Sequence, residues 1–340
     1  MLVNVNKEEE ANIGSGSMTQ KIFVFPGQGS QYPTMAKDWY DNFKAAREAF
    51  EEASDFTGIN LKKLCFEGSG EDLKRTEITQ PAILTSTVAI YRSLEIDKNA
   101  VFAGHSLGEY SALVCAGALA LGPAAKIVNK RGAFMQEAVP AGKGAMAALI
   151  FRPKTEGSEK ADLLCREISA LGRGYVSVAN YNTPEQIVIS GETEAVNLAV
   201  ARALEAPYEA RKAVPLAVSA PFHCKLMKPA AERLAPHLRS APWTSTRAKY
   251  YANVDAKLYD LSTLSLDVAD RLILQIDGPV LWTQTMRAAL EAGYHRLVEI
   301  GPGAVLSGMA KRISSGEHSF HALNIDRLED FQNVQQDLAN

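Results

Sequence analysis

Val101-Phe-Ala-Gly-His-Ser-Leu-Gly-Glu-Tyr110 is the stretch from which the rest of the chain can be read. A short apolar run ends in Gly104-His105-Ser106-Leu107-Gly108, and a helical pattern follows at once. This is G-x-S-x-G at a strand-to-helix turn, the arrangement of a nucleophile elbow. Two glycines let the backbone bend where a Cβ would block it, which lifts the Ser106 hydroxyl above the strand end. The same turn sets the Leu107 amide at a helix N-terminus, where a developing oxyanion can be held. The stretch therefore predicts covalent catalysis, with an acyl group carried on Ser106.

Working outward, strands alternate with helices. Ile22–Phe25 reads as a strand and Asp38–Ser54 as a helix, with Trp39, Phe43, Ala46 and Phe50 at helical spacing. Pro81 is expected to open another helix, with Thr79 as its cap and Ile83, Leu84, Val88 and Tyr91 along it. The elbow helix runs through Tyr110, Leu113 and Val114 to Gly117. Late strands are expected at Tyr250–Asn253 and Arg296–Ile300, the second stopped by Gly301-Pro302-Gly303. Such alternation predicts an α/β fold with a mostly parallel sheet between helices, and ligands beyond the carboxyl ends of its strands.

The middle of the chain has another texture. Ala145–Ile150, Tyr175–Asn180, Gln186–Ser190 and Arg211–Val218 read as strands, with helices at Lys160–Leu171 and Glu192–Leu204. The order β-α-β-β-α-β is that of a ferredoxin-like unit, and an inserted layer of this kind makes a cleft against the larger body. The expected division is a flexible appendage at 1–17, a large body from 18–143 and 215–340, and a small subdomain at 144–214. Past Ser314 the chain turns polar, with one strand-like segment at Phe320–Ile325.

Composition narrows the function class. The formal charge of −3 gives no basic surplus for nucleic acid. The four cysteines, Cys65, Cys115, Cys165 and Cys224, stand far apart, as expected in a reducing compartment, and form neither a disulfide framework nor a metal site. No window approaches the roughly 18 uninterrupted apolar residues of a membrane span, and Met1–Glu10 lacks the apolar core of a signal peptide. A cytoplasmic protein without membrane attachment is expected.

A serine needs a base. Among the six histidines, His223 stands out in Val218-Ser-Ala-Pro-Phe-His-Cys224, a proline-punctuated loop directly after the last strand of the inserted unit. His105 lies inside the elbow, where its side chain should point away from Ser106, so it reads as a packing or positioning residue. His237, His295, His318 and His321 have no motif around them. No aspartate presents itself cleanly as a third member of a triad. Asp255 and Asp277 are the alternatives, and a main-chain carbonyl is another, since any acceptor sets the imidazole tautomer. Phe25-Pro-Gly-Gln-Gly-Ser-Gln31 lacks the spacing of a phosphate cradle, and its Gln28 amide is assigned as a second oxyanion donor. Lys126, Lys130 and Arg131 read as a solvated helix face.

Taken in order, these motifs resemble the malonyl-CoA:acyl carrier protein transacylases of bacterial fatty-acid synthesis. The resemblance runs from Met18 to about Ile313 and is carried by Phe25–Gln31, Thr79-Gln-Pro-Ala82, Gly104–Tyr110, Arg131-Gly132, Phe134-Met-Gln136, Gly144-Ala-Met-Ala147, Phe222-His223, Gln275 and Glu299-Ile-Gly-Pro-Gly303. It implies an α/β-hydrolase-like core with a ferredoxin-like subdomain. It implies Ser106 as nucleophile, His223 as general base and then acid, and the Gln28 and Leu107 amides as oxyanion hole. Arg131 would grip the malonyl carboxylate through two parallel hydrogen bonds, and the Gln275 carbonyl would orient the histidine. Malonyl-CoA would be a substrate, with no permanently bound cofactor. The implied partner is acyl carrier protein, for which Lys225, Lys228, Lys311 and Arg312 are docking candidates, and a monomer is expected. Rival readings are a free-standing polyketide acyltransferase, an acyl hydrolase on the same scaffold, a lipase or esterase, and a non-catalytic carrier-protein scaffold. Pro221, Phe222 and Cys224 vary among relatives and would tune acyl size, which leaves malonyl against methylmalonyl open.

Overall fold

The computed structural model describes residues 20–94, 96, 100–218, 220–263 and 267–339. The appendage expected at 1–17 lies outside the described residues. The strands that build the two main sheets are, in chain order, β1 (Gln20–Phe25), β2 (Val101–Gly104), β3 (Gly144–Ile150), β4 (Val176–Thr183), β5 (Gln186–Glu192), β6 (Lys212–Pro215), β7 (Lys249–Tyr251), β8 (Leu258–Asp260), β9 (Tyr294–Ile300) and β10 (His321–Ile325).

Among the described residues, the larger sheet has the order β10-β9-β1-β2-β7-β8, parallel throughout except for β8 at one edge. Strand side chains alternate between faces. Phe23 and Phe25 enter one core beside Phe102, while Ile22 and Val24 enter another with Val101, Ala103 and Trp282. Both faces are thus covered, which explains the unbroken apolar run Ile22–Phe25. The smaller sheet, β4-β5-β3-β6, is antiparallel and carries its own core with Leu149, Ile187, Ile189, Leu164 and Ile168. Its helices, Gly157–Ala170 and Thr193–Arg202, fall in the expected β-α-β-β-α-β order. The expected fold, an α/β-hydrolase-like core with a mostly parallel sheet and an inserted ferredoxin-like unit, is borne out.

Two helices differ from the expectation. The segment Asp38–Ser54 is two helices, Lys37–Asn42 and Lys44–Thr57, parted by an extended Phe43 at φ −120°, ψ 132°. The Phe43 amide closes the first helix on the Trp39 carbonyl at 2.8 Å, and its ring packs on Trp39. Pro81 does not open its helix. That helix spans Thr76–Arg92 with Pro81 inside it, and Thr79 is no cap, because its hydroxyl donates to the carbonyls of Leu73 and Arg75. A proline frees the carbonyl four residues back; here that is Glu77, and the Asn129 amide donates to it at 2.8 Å. Tertiary contact therefore pays for what the local rule forbids.

The elbow is where the sheet meets the site. A Cβ on Gly104 would lie 1.9 Å from the Gly108 carbonyl oxygen, and one on Gly108 would lie 2.0 Å from that of Phe25. The elbow helix, Leu107–Cys115, consequently sits against the end of β1 more closely than any larger residue permits. Gly108→Ala is expected to destabilise the protein by about 1–3 kcal/mol or more through overpacking against backbone, read as a lowered urea midpoint. A midpoint equal to wild type would refute this account of the turn.

Candidate active site

Ser106 sits at the N-terminus of the elbow helix with φ 53° and ψ −106°. A non-glycine residue holds such a conformation only where its surroundings over-determine it, at a cost of about 1–3 kcal/mol. Those surroundings are specific. Asn253, in the loop after β7, accepts from the Ser106 amide at 2.7 Å and donates to the Gly104 carbonyl at 2.7 Å. The Gln275 carboxamide donates to the Ser106 carbonyl at 2.8 Å. The strained residue is thus held at both its amide and its carbonyl.

His223 reaches this serine from the loop after β6. Its Nε2 lies 2.7 Å from Ser106 Oγ, and its Nδ1 lies 2.8 Å from the Gln275 carbonyl oxygen. With Nδ1 donating to that carbonyl, Nε2 is the acceptor and Ser106 the donor. The main-chain alternative is the one observed. Asp255 instead engages Tyr259 and Arg271, while Asp277 forms no bond to the imidazole. His223 itself has φ 57°, so both Ser106 and His223 stand on backbone of positive φ. Burial, reinforced by the Arg131 charge, pulls the His223 pKa down to about 3, against the opposing pull of the Gln275 carbonyl. The imidazole is thereby held neutral.

Arg131 comes from the helix Leu121–Glu137 and is only 2% exposed. That helix packs tightly on Thr76–Arg92, since a Cβ on Gly132 would lie 2.5 Å from the Thr76 carbonyl oxygen. The guanidinium donates to Gln80 at 2.9 Å, to Gln275 Oε1 at 2.8 Å and to Ser106 Oγ at 3.1 Å. Its charge lies over the Tyr110 ring at 5.4 Å. Among the described residues, no carboxylate lies within 4.0 Å of it. Arg131 is therefore no solvated face residue; helix packing turns it inward, while Lys126 and Lys130 line a separate surface depression.

A cavity of about 250 Å³ opens over Ser106. The larger body contributes the Gln28 loop, Arg131 and Met135, and the smaller sheet contributes Met146, Asn180, Asn182 and Val188. Gln28 lines this cavity, Leu107 follows Ser106 at the buried start of the elbow helix, and no hydrogen bond from either amide to another described residue is seen. His105 bonds Asn182 at 2.8 Å and packs edge-on against Trp282. Glu299 caps the helix Val305–Ala310 by accepting from the Leu306 and Ser307 amides, which accounts for the late Glu299–Gly303 motif. Of the other histidines, His237 packs beside Phe134, and His295 pairs with His318.

Sequence reasoning missed three side chains of this site. Gln80 and Glu109 lay within quoted motifs without a role, and Asn253 closed an expected strand. All three are polar and buried. Their sequence signal was a polar residue inside an otherwise apolar run, which does not say what it faces.

Similarity to known proteins agrees with this geometry. Residues 22–326 match the acyl transferase domain family. The chain is 44% identical over 301 residues to the malonyl CoA-acyl carrier protein transacylase of Escherichia coli (strain K12), covering 87% of this chain and 93% of that one. It superposes on the acyl-carrier-protein-S-malonyltransferase of Bartonella henselae with a TM-score of 0.86 at 36% identity, covering 94% of this chain and 100% of the other. It also matches a malonyl-transacylase solved in complex with its type II PKS acyl-carrier protein, with a TM-score of 0.85 at 40% identity, covering 94% and 99%.

Asn253→Ala leaves the Ser106 amide and the Gly104 carbonyl without their partner. A loss of about 1–3 kcal/mol per orphaned buried group is expected in urea unfolding, with slower acylation of Ser106. The His223 pKa gives a second test. The unfolded imidazole takes up a proton below its ordinary 6.5, while the folded one does so only near 3. Folding stability therefore falls as pH drops through that window. His223→Asn removes this component, so the stability of wild type relative to the variant should decline from about pH 7 to about pH 4; an unchanged difference would contradict a neutral buried imidazole.

Proposed function

We propose that this chain, which belongs to the acyl transferase domain family, moves a malonyl group from malonyl-CoA to the thiol of acyl carrier protein through an ester on Ser106, supplying fatty-acid synthesis. The observation that carries this reading is the buried Arg131 guanidinium, 3.1 Å from Ser106 Oγ and, among the described residues, without a carboxylate partner of its own. A buried charge lacking a counter-ion is costly. A carboxylate at the far end of an acyl group held on Ser106 would relieve that cost, and acetyl would not.

The chemistry follows from the hydrogen bonds. His223 Nε2 takes the Ser106 proton as Oγ attacks the thioester carbonyl. The oxyanion faces the Gln28 and Leu107 amides, each such donor worth about 10²–10³ in rate. Collapse breaks the C–S bond, and the imidazolium, steadied by the Gln275 carbonyl, returns its proton to the departing thiolate. The carrier thiol then enters by the same steps in reverse. Met135, Met146, Val188, Leu216 and Phe222 make the acyl wall apolar, which supports a site that restrains water and favours transfer over hydrolysis.

The match to a transacylase solved with its carrier protein supports that class of partner. Lys225, Lys228, Lys311 and Arg312 are exposed, and two pairs of them follow elements that line the cavity: His223, and the helix Val305–Ala310. The reading takes residues 144–214 as a small subdomain set into a larger body of 18–143 and 215–340, supported by the core that the small sheet shares with its own two helices, while Met146, Ala148, Ala179 and Val188 pack into the core of the larger body. One chain supplies every site residue, which supports action as a monomer. Free, buried cysteines support a reducing cytoplasm, and no described helix is long and apolar enough to cross a membrane.

Arg131→Ala should depress malonyl transfer relative to acetyl transfer by about 10²-fold or more, the equivalent of losing a buried ion pair worth about 3 kcal/mol. Rates of Ser106 acylation from malonyl-CoA and acetyl-CoA decide this, and equal losses for both would overturn the assignment.

A further inference from the structure

Glu109, one turn into the elbow helix, is fully buried and plays no part in the steps above. Its Oε2 accepts from the Asn253 amide at 3.2 Å and from the Gln275 carboxamide at 2.8 Å. Its Oε1 has no hydrogen-bond partner among the described residues. The carboxamide that donates to Glu109 accepts from Arg131 at 2.8 Å through its other end. A continuous buried chain, carboxyl to carboxamide to guanidinium, thus ends 3.1 Å from Ser106 Oγ.

We propose that the protonation state of Glu109 sets the preference for carboxylated acyl groups: ionised Glu109 neutralises Arg131 through Gln275 and competes with the acyl carboxylate for that charge, so malonyl loading is coupled to a protonated Glu109. This rests on the reading that Arg131 receives the malonyl carboxylate. Three charges would otherwise share one dry site, two anions against a single cation, and in a low-dielectric interior like charges do not both persist.

Among the described residues, the groups facing Glu109 leave Arg131 as the cation acting on it. Tyr110 on the same helix and Tyr250 on β7 are held neutral by burial. Asp255 is engaged by Arg271 and Tyr259, and His223 is neutral. Burial raises the Glu109 pKa to about 8, opposed by its two hydrogen-bond donors and by Arg131. A second anion on Arg131 weakens that opposition and lifts the pKa further. Loading malonyl therefore takes up a proton at pH values above about 8 and none below, whereas loading acetyl takes up none. By linkage, the malonyl-to-acetyl ratio must fall as pH rises through that point.

The test is the ratio of malonyl to acetyl loading on Ser106, followed by intact mass after mixing with each CoA thioester, from about pH 7 to about pH 9.5. In wild type the ratio should be level at first and then fall, by at most about tenfold per pH unit. In Glu109→Gln it should stay level, since glutamine keeps the acceptor for Asn253 and Gln275 but cannot ionise. A wild-type ratio that stays level, or a fall that survives in Glu109→Gln, overturns the proposal, as does an equal drop in both loadings with the fall retained. Should the variant fail to fold, proton uptake by weakly buffered wild type above pH 8 must be greater for malonyl than for acetyl loading, by up to one proton per serine. No preference for malonyl at about pH 7 would instead sink the reading of Arg131 itself, so the two failures are distinguishable.

Discussion

A guanidinium held in the dry interior, beside Ser106 and with no carboxylate against it among the described residues, is the constraint on which this site is built. Removing such an ion from water costs several kcal/mol even after relaxation. The fold offsets part of this with neutral acceptors, the carboxamides of Gln80 and Gln275, and with the face of Tyr110. Each of these stabilises the cation without satisfying its charge. The same field keeps His223 from accepting a proton in the resting state, since Arg131 and burial act on the imidazole in one direction. Ser106, His223 and Arg131 are thus coupled electrostatically as well as by position.

Gln275 is the joint of this arrangement. Its main chain sets the histidine tautomer, and its side chain bridges Arg131, the Ser106 carbonyl and Glu109. A carboxylate at this place would pair with Arg131 and neutralise it. A carboxamide orients without neutralising, which explains why the histidine is steered by a carbonyl instead of an aspartate. The strain at Ser106 and His223 is held by the same few residues, so geometry and charge are secured together.

The two sheets divide the labour. The parallel sheet, buried on both faces, fixes the elbow and the Gln28 loop at its carboxyl edge. The antiparallel sheet brings an apolar wall over them, so the reacting atoms lie in a cleft between two packed cores. Acyl transfer to a thiol in competition with water needs both: rigid positioning from one body and exclusion of solvent from the other.

Much of this was legible in the residues alone. The elbow announced itself because glycines at 104 and 108 and a serine between them answer to local backbone sterics, and local sterics are written in adjacent residues. Strand faces and the β-α-β-β-α-β order followed from periodicity for the same reason. Arg131 could be set apart from Lys126 and Lys130 only by resemblance, because its inward turn depends on Gly132 meeting a helix 55 residues earlier at Thr76–Glu77. Pro81 misled as a helix start because the partner for the carbonyl it frees, Asn129, comes from another helix. Glu109, Asn253 and the side chain of Gln275 gave no sign of acting together, since hydrogen bonds spanning 144 and 166 residues leave no mark on spacing. Sequence alone determined the turn that carries Ser106 and the frame around it, through short-range sterics and periodic burial; the tertiary structure decided which polar groups are left to answer a buried charge, because that depends on what long-range packing brings within hydrogen-bonding distance.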